Sequence, residues 1–235
     1  IYRIGSIVDL VKRAKNGELV FPNNVDIVTG GFPRQNFSIA GNRKGFDSTK
    51  SHNGGILESD APSIESRGKL YMWMRDVVTI TQPRIFIAEN VKGLTNLSNV
   101  KQIIEKDFED AADGGYLVIP AKVLNAADYG VPQSRERVIF YGFKKSALTK
   151  QAMKALLSDK IPSGYDPYPP PTHAFTVAGE TLYPFVTCAE ALIGLEEPID
   201  TDELSQKRYS KAKYMGKHCQ GQSEIKLDYV APTIR

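Results

Sequence analysis

The sequence predicts an α/β fold: a doubly wound sheet with helices on both faces, followed by part of a smaller region. Three observations predict it. Short apolar runs alternate with helical spacings through the first 143 residues. Three polar segments suited to chemistry fall at the ends of those runs. A proline run, Pro162, Pro167, Pro169, Pro170 and Pro171, then closes the pattern with a stiff, extended stretch.

The elements follow in order. Val25–Thr29 (VDIVT) reads as a short buried strand running into Gly30-Gly31. Lys69–Thr81 has helical spacing, with Leu70, Trp73, Val77 and Ile80 on one face. Arg84–Ala88 (RIFIA) is a second short strand. Val100–Ala112 is a helix that turns Ile103, Ile104 and Phe108 inward and stops at Gly114-Gly115. Tyr116–Ile119 and Val138–Tyr141 are two further strands, and a helix-like segment spans Ala147–Leu157. Strand–helix–strand order argues a parallel sheet. Three regions result: 1–160 as a catalytic-type domain, 161–171 as a proline-rich linker, and 172–235 as a region with no clear period.

Composition narrows the class. The 235 residues are 41% hydrophobic and 24% charged, enough for a sizeable core without disulfides or metals. No apolar run approaches the roughly 18 residues a membrane helix needs. Cys188 and Cys219 form no metal-type spacing and no disulfide framework, which fits a reducing, cytoplasmic setting. Charge is mildly basic, 30 Lys+Arg against 27 Asp+Glu. It concentrates in KRYSKAKYMGK, where Lys207, Arg208, Lys211, Lys213 and Lys217 stand without an acid and with Tyr209 and Tyr214 between them. Such a stretch suits phosphates and base stacking, and equally suits a solvated surface.

The three polar segments are Gly30–Ser38 (GGFPRQNFS) and Glu89-Asn90-Val91, each directly after a strand, and Gln133–Arg137 (QSRER), directly before one. In open α/β sheets ligands bind at the carboxyl ends of parallel strands. Each segment alone has an ordinary reading as a tight turn, a solvated loop acid or an ion-pair ledge. Together, in this order, they resemble the DNA cytosine-5 methyltransferases. That family carries G-F-P-C-Q-x-F-S, E-N-V and Q-x-R-x-R. Arg67-Gly68-Lys69-Leu70, the segment NAADYGVP from Asn125 to Pro132, and APTIR from Ala231 to Arg235 are similar to further family segments. The close resemblance covers about Val25 to Phe143.

The resemblance implies a Rossmann-like S-adenosylmethionine-dependent methyltransferase sheet with part of a small target-recognition domain. It implies transfer of a methyl group to C5 of a cytosine flipped out of duplex DNA, in a restriction–modification setting. A thiolate adds at C6, and the resulting enamine attacks the sulfonium methyl. Charge builds toward N3, so a carboxyl group there helps; by resemblance this is Glu89, whose burial at a strand end would raise its pKa. A cation near O2 also helps, and Arg137 matches, with Arg135 and Gln35 in support. Pro33 and Leu70 match positions that line the cofactor. Arg43 and Lys44, with Lys50, lie in Ile39–Ser66, which corresponds to the loop that closes over DNA, and Ser38 directly precedes it as a further candidate for DNA contact; Ser51–Ser63 looks inserted in that loop. Arg208, Lys211, Lys213, Lys217, Gln220 and Gln222 are the candidates for DNA contact in the recognition region, chosen by residue type. No metal is implied.

Arg34 departs from the family, which has cysteine at this position. Its guanidinium stays protonated and cannot be the nucleophile. The chain as written is therefore expected not to methylate DNA. Two origins fit: an inactivating substitution, reachable by one base change, or a natural inactive homologue. The family's glycine-rich cofactor segment and its last helix are also not found between Ile1 and Arg235. A fragment or one subunit of a split enzyme would explain this, with a monomer expected unless a complementary subunit exists. A non-catalytic DNA-binding protein on this scaffold, and an RNA cytosine methyltransferase, are the alternatives in function.

Overall fold

The computed structural model describes residues 5–32, 71–96, 100–176, 181–195 and 225–233. Of the candidate residues, Pro33, Arg34, Gln35, Ser38, Arg43, Lys44, Leu70, Arg208, Lys211, Lys213, Lys217, Gln220 and Gln222 lie outside them. The chain divides into two compact units. One holds residues 1–124 and 136–169, the other 125–135 and 170–235.

The first unit is a four-stranded sheet of β1 (Ile27–Gly31), β2 (Ile85–Val91), β3 (Tyr116–Asn125) and β4 (Glu136–Lys144), in the order β1-β2-β4-β3. β1 and β2 are parallel, with Ile27 opposite Ile85 and Gly31 opposite Glu89. β2 and β4 are antiparallel, with Ile85 opposite Phe143 and Val91 opposite Arg137. The sheet is thus mixed, not parallel throughout as strand–helix alternation suggested. The reason lies between β3 and β4. Residues 126–135 hold only a 3-10 turn (Ala126–Tyr129), and a parallel crossover needs a dozen or more residues. β4 therefore reverses and inserts beside β2.

Side chains alternate across this sheet with the period of two that strands impose. Phe86, Ala88, Val138 and Phe140 face one layer, where α2 (Tyr71–Thr81) contributes Tyr71, Met74 and Val78 and α3 (Val100–Glu109) contributes Ile104 and Phe108. Ile139, Tyr141 and Phe143 face the other layer, with Leu156 of α4 (Lys150–Leu156) and Tyr168. Helices thus cover both faces, as a doubly wound α/β fold requires. Phe86 stacks on Phe108 with ring centroids 4.6 Å apart and meets the edge of Tyr116 at 5.3 Å. Opposite Phe86, Gly142 leaves the space the ring fills: a Cβ there would lie 1.9 Å from Phe86 Cε1.

α2 does not present the single face its spacing suggested. Tyr71, Met74 and Val78 meet the sheet, while Trp73 and Val77 pack on Val8 and Val11 of α1 (Ile7–Lys15). Ile80 is exposed. The YMWM run makes α2 apolar on two sides, so one periodic stripe describes only half of it. α1 itself has no counterpart in the sequence reading, although Val8 and Val11 stand at helical spacing among charged residues. Asp76, buried, joins the two helices through Lys15 of α1 at 2.5 Å and also pairs with its neighbour Arg75 at 2.7 Å.

β3 runs past Ile119 through Pro120 to Asn125, longer than expected. It is one of the sheet's two outer strands among the described residues, and an edge strand tolerates a proline. Near the end of this unit the Tyr168 hydroxyl donates to the Ile139 carbonyl at 2.9 Å. Lys122 stands 4.6 Å over the Tyr168 ring and pairs with Asp166 at 2.9 Å.

In the second unit, β5 (His173–Ala174) and β6 (Tyr183–Pro184) form a short parallel pair. A one-turn helix, α5 (Cys188–Ala191), starts at a capping box of Thr187 and Glu190. Its first N–H groups donate to the Tyr229 and Leu227 carbonyls. Among the described residues no helix is long and apolar enough to cross a membrane.

Candidate active site

The parallel strands β1 and β2 end side by side, at Gly31 and Glu89. Because β4 runs the other way, its first residues arrive at the same end of the sheet. This is the edge where α/β sheets place ligands. It brings two of the predicted residues together. Arg137 Nε donates to Glu89 Oε1 at 2.7 Å. The two lie on diagonal positions of one face, since Arg137 is opposite Val91 and Glu89 opposite Ile139, and long side chains bridge such diagonals. The Arg137 side chain is 13% exposed and also donates from Nη1 to the Glu136 carbonyl at 2.7 Å.

Glu89 departs from expectation in two respects. It lies within β2, not after it. Its side chain is 42% exposed, so the burial that was to act on its carboxyl is not there. Its position is nevertheless defined. Glu89 Oε2 lies 2.9 Å from the place a Cβ on Gly31 would take. Glycine at position 31 thus leaves the carboxylate its seat over the end of β1.

Asn90, to which the sequence reading gave no separate role, is 2% exposed. Its Nδ2 donates to the Phe32 carbonyl at 3.1 Å, and its Oδ1 accepts from the Val91 N–H at 2.8 Å. The signal was its phase in β2: Phe86, Ala88 and Asn90 are the buried row of the strand.

Beside β1 lies an apolar cavity of about 220 Å³, lined by Ile7, Gly30, Gly31, Phe32, Trp73 and Met74 among others. Trp73 Nε1 is buried and has no hydrogen-bond partner among the described residues.

Arg135 belongs to the second unit, half-buried, one residue before β4. Its backbone N–H is held by Asn125 Oδ1 at 2.9 Å, and its carbonyl accepts from the Ala126 N–H at 3.0 Å. Two segments noted separately in the sequence meet here. Ser134 N–H donates to the Ala231 carbonyl at 2.7 Å, Ala231 N–H donates to that of Pro132 at 2.9 Å, and Thr233 Oγ1 donates to that of Ser134 at 2.7 Å.

With this geometry in place, comparison with known proteins is decisive. The family model described as C-5 cytosine-specific DNA methylase matches residues 3–226. The chain belongs to the C-5 cytosine-specific DNA methylases. Among the methylases it is similar to the type II methyltransferase M.NgoFVII of Neisseria gonorrhoeae, 34% identical over 181 residues, covering 76% of this chain and 38% of that protein. It is also similar to the type II methyltransferase M.XorII of Xanthomonas oryzae pv. oryzae, 32% identical over 192 residues, covering 81% of this chain and 34% of the relative. Among solved structures, a triple mutant of Spodoptera frugiperda DNMT2 superposes with a TM-score of 0.40 at 18% identity, covering 81% of this chain and 43% of that one. The chain thus spans little more than a third of the length of these curated methylases.

Proposed function

We propose that the chain belongs to a DNA (cytosine-5-)-methyltransferase of restriction–modification type, with its nucleophile position disabled by Arg34. The observation that carries this reading is the Glu89–Arg137 pair at the shared end of β1, β2 and β4, two strands' ends from a chain exit that leads into Pro33-Arg34.

In the proposed reaction a flipped cytosine docks against that end of the sheet. The Glu89 carboxyl group supplies a hydrogen bond or proton toward N3, where charge gathers as the ring is attacked at C6. Arg137 holds Glu89 in place beforehand and offers its cation toward O2. Arg135 supports from the start of the same segment, with Gln35 beside position 34. Arg34 offers no lone pair and no removable proton at physiological pH, so the first bond does not form.

S-adenosylmethionine, when bound, supplies the electrophilic methyl group. The cavity beside Gly30 and Gly31 would take part of it, its apolar walls suiting a flat ring. Its size falls short of the roughly 300 Å³ of a complete small-molecule site. Pro33 and Leu70 are assigned to the rest. Duplex DNA is the proposed partner, contacted by Ser38, Arg43 and Lys44 and by Arg208, Lys211, Lys213, Lys217, Gln220 and Gln222.

The test is reversion. Arg34→Cys, in a chain carrying the flanking cofactor segments of a relative, is expected to transfer labelled methyl groups to duplex DNA. A folded revertant that stays silent overturns the reading. Arg34 itself favours a second reading, a non-catalytic DNA-binding member of the family; such a protein binds duplex DNA before and after reversion and methylates in neither case.

A further inference from the structure

We propose that the outer face of α4 is a docking site for a protein partner, an acidic amphipathic helix that sets carboxylates and apolar side chains one turn apart. The proposal goes beyond the reaction described above and uses none of its residues.

α4 has two faces. The Thr149 hydroxyl accepts from the Ala152 N–H at 3.1 Å and fixes where the helix begins, and so its phase. In that phase Leu156 turns inward, buried with Ile119 and Tyr168. Lys150, Met153, Lys154 and Leu157 fall at i, i+3, i+4 and i+7 and share another face. With Leu148 and Thr149 they line a groove of about 600 Å³. Leu157 is 65% exposed. An isolated exposed leucine is ordinary. One that continues a groove with Met153, a turn back along the helix, gives a partner an apolar anchor point.

Charge identifies the occupant. Elsewhere in this unit Lys15, Lys92, Lys101, Lys106 and Lys122 each pair with a carboxylate. Lys150 and Lys154 are exposed and pair with none among the described residues. From Lys144 to Lys160 the chain carries five lysines and one acid, Asp159. Carboxylates on a partner supply the missing charge at the rim, and its apolar side chains cover the floor. The spacing selects a helix. Lys150 and Lys154 are one turn apart, as are Met153 and Leu157, about 6 Å along the axis. That is the repeat of i, i+4 side chains on a second helix lying alongside. Duplex DNA meets the lysines but leaves the apolar floor without a counterpart, since phosphates carry no apolar group. A face of two turns buries less than a standard interface, so the contact is weak and transient.

The test uses the whole chain and a fluorescein-labelled synthetic helix of leucine, glutamate and alanine, its glutamates one turn apart beside leucines one turn apart. Fluorescence anisotropy is expected to show saturable binding. Lys150→Glu with Lys154→Glu is expected to weaken binding about 10-fold, and to gain binding of a second probe that has lysine in place of glutamate. Leu157→Ser is expected to weaken the first probe by about 10-fold. If the charge-reversed chain does not fold, Lys150→Gln with Lys154→Gln replaces it, with the same loss expected. Absence of saturable binding, or binding that the lysine changes leave untouched, overturns the proposal. A purely electrostatic result overturns it too. In that case the double reversal weakens a duplex oligonucleotide or phosphatidylserine vesicles as it weakens the probe, Leu157→Ser changes nothing, and the face serves phosphates instead of a protein.

Discussion

In the proposed reaction Glu89 and Arg137 would divide two tasks between them: the Glu89 side chain, at 42% exposure, would meet the docking base, and Arg137, at 13%, would be the fixed member of the pair. An ion pair with one partner this exposed adds at most about 1 kcal/mol to stability. Glu89→Gln is therefore expected to leave the melting temperature nearly unchanged. In the Arg34→Cys enzyme with its flanking segments restored, the same change is expected to lower kcat by about 100- to 10,000-fold, the usual range for a positioned acid. Calorimetry and single-turnover methylation measure the two effects separately. That these two residues are singled out was legible in the sequence, because each sits in a short motif at a strand end; that they pair is what the fold adds. Asn90 was given no role, because a polar residue near a strand end is normally assigned to solvent. Its phase with Phe86 and Ala88 pointed to burial, but its partner at the exit of β1 is a long-range contact that no local pattern encodes.

At the scale of elements, the sheet depends on the match between Phe86 and Gly142. Those residues are register partners on β2 and β4, and the aromatic ring lies over the glycine. Gly142→Ala would place a methyl group 1.9 Å from the ring. Phe86 is fully buried and packs against the rings of Phe108 and Tyr116. Overpacking of this kind costs roughly 1–3 kcal/mol, and urea denaturation is expected to show a loss of at least that order with an unchanged slope. Strand and helix positions were largely readable from apolar period, since β2, α3 and β4 keep simple alternations. Sheet direction was not. Alternation of elements argued for parallel strands, and only the shortness of the 126–135 connection, which lacks a crossover helix, separates that answer from the observed antiparallel pairing. The two-sided helix α2 was misread for a similar reason: its second face exists only because α1 is there to cover it.

For the molecule as a whole, the anchoring of residues 166–168 is the feature that solution conditions reach. Partial desolvation pushes the Asp166 carboxyl up, but the Lys122 hydrogen bond, the Tyr168 N–H and the Lys122 charge together outweigh it, leaving it below the usual aspartate range. A depressed carboxyl contributes stability that is present above the unfolded pKa, about 3.9, and is lost as pH falls through the folded value. Melting temperature is thus expected to fall on acidification through and below pH 4, and Asp166→Asn is expected to flatten part of that fall. The difference is bounded at about 1 kcal/mol by the exposure of Lys122. The proline run announced a change of character in the chain near this point. That residues 125–135 group with 170–235 was beyond sequence reading, because it follows from pairing between Pro132–Ser134 and Ala231, almost a hundred residues apart in the chain.

One further property follows from α1 and α2. Trp73 is the single tryptophan of the chain. It is 3% exposed, wedged against Val8 and Val11, and it also lines the cavity beside Gly30 and Gly31. The protein therefore carries its own optical probe at that cavity. Emission from an indole sealed in apolar surroundings lies to the blue, and undocking of α1 shifts it to the red. A ligand seated against this residue in the cavity is expected to perturb the same signal without any label, so occupancy of this cavity can be followed by fluorescence alone.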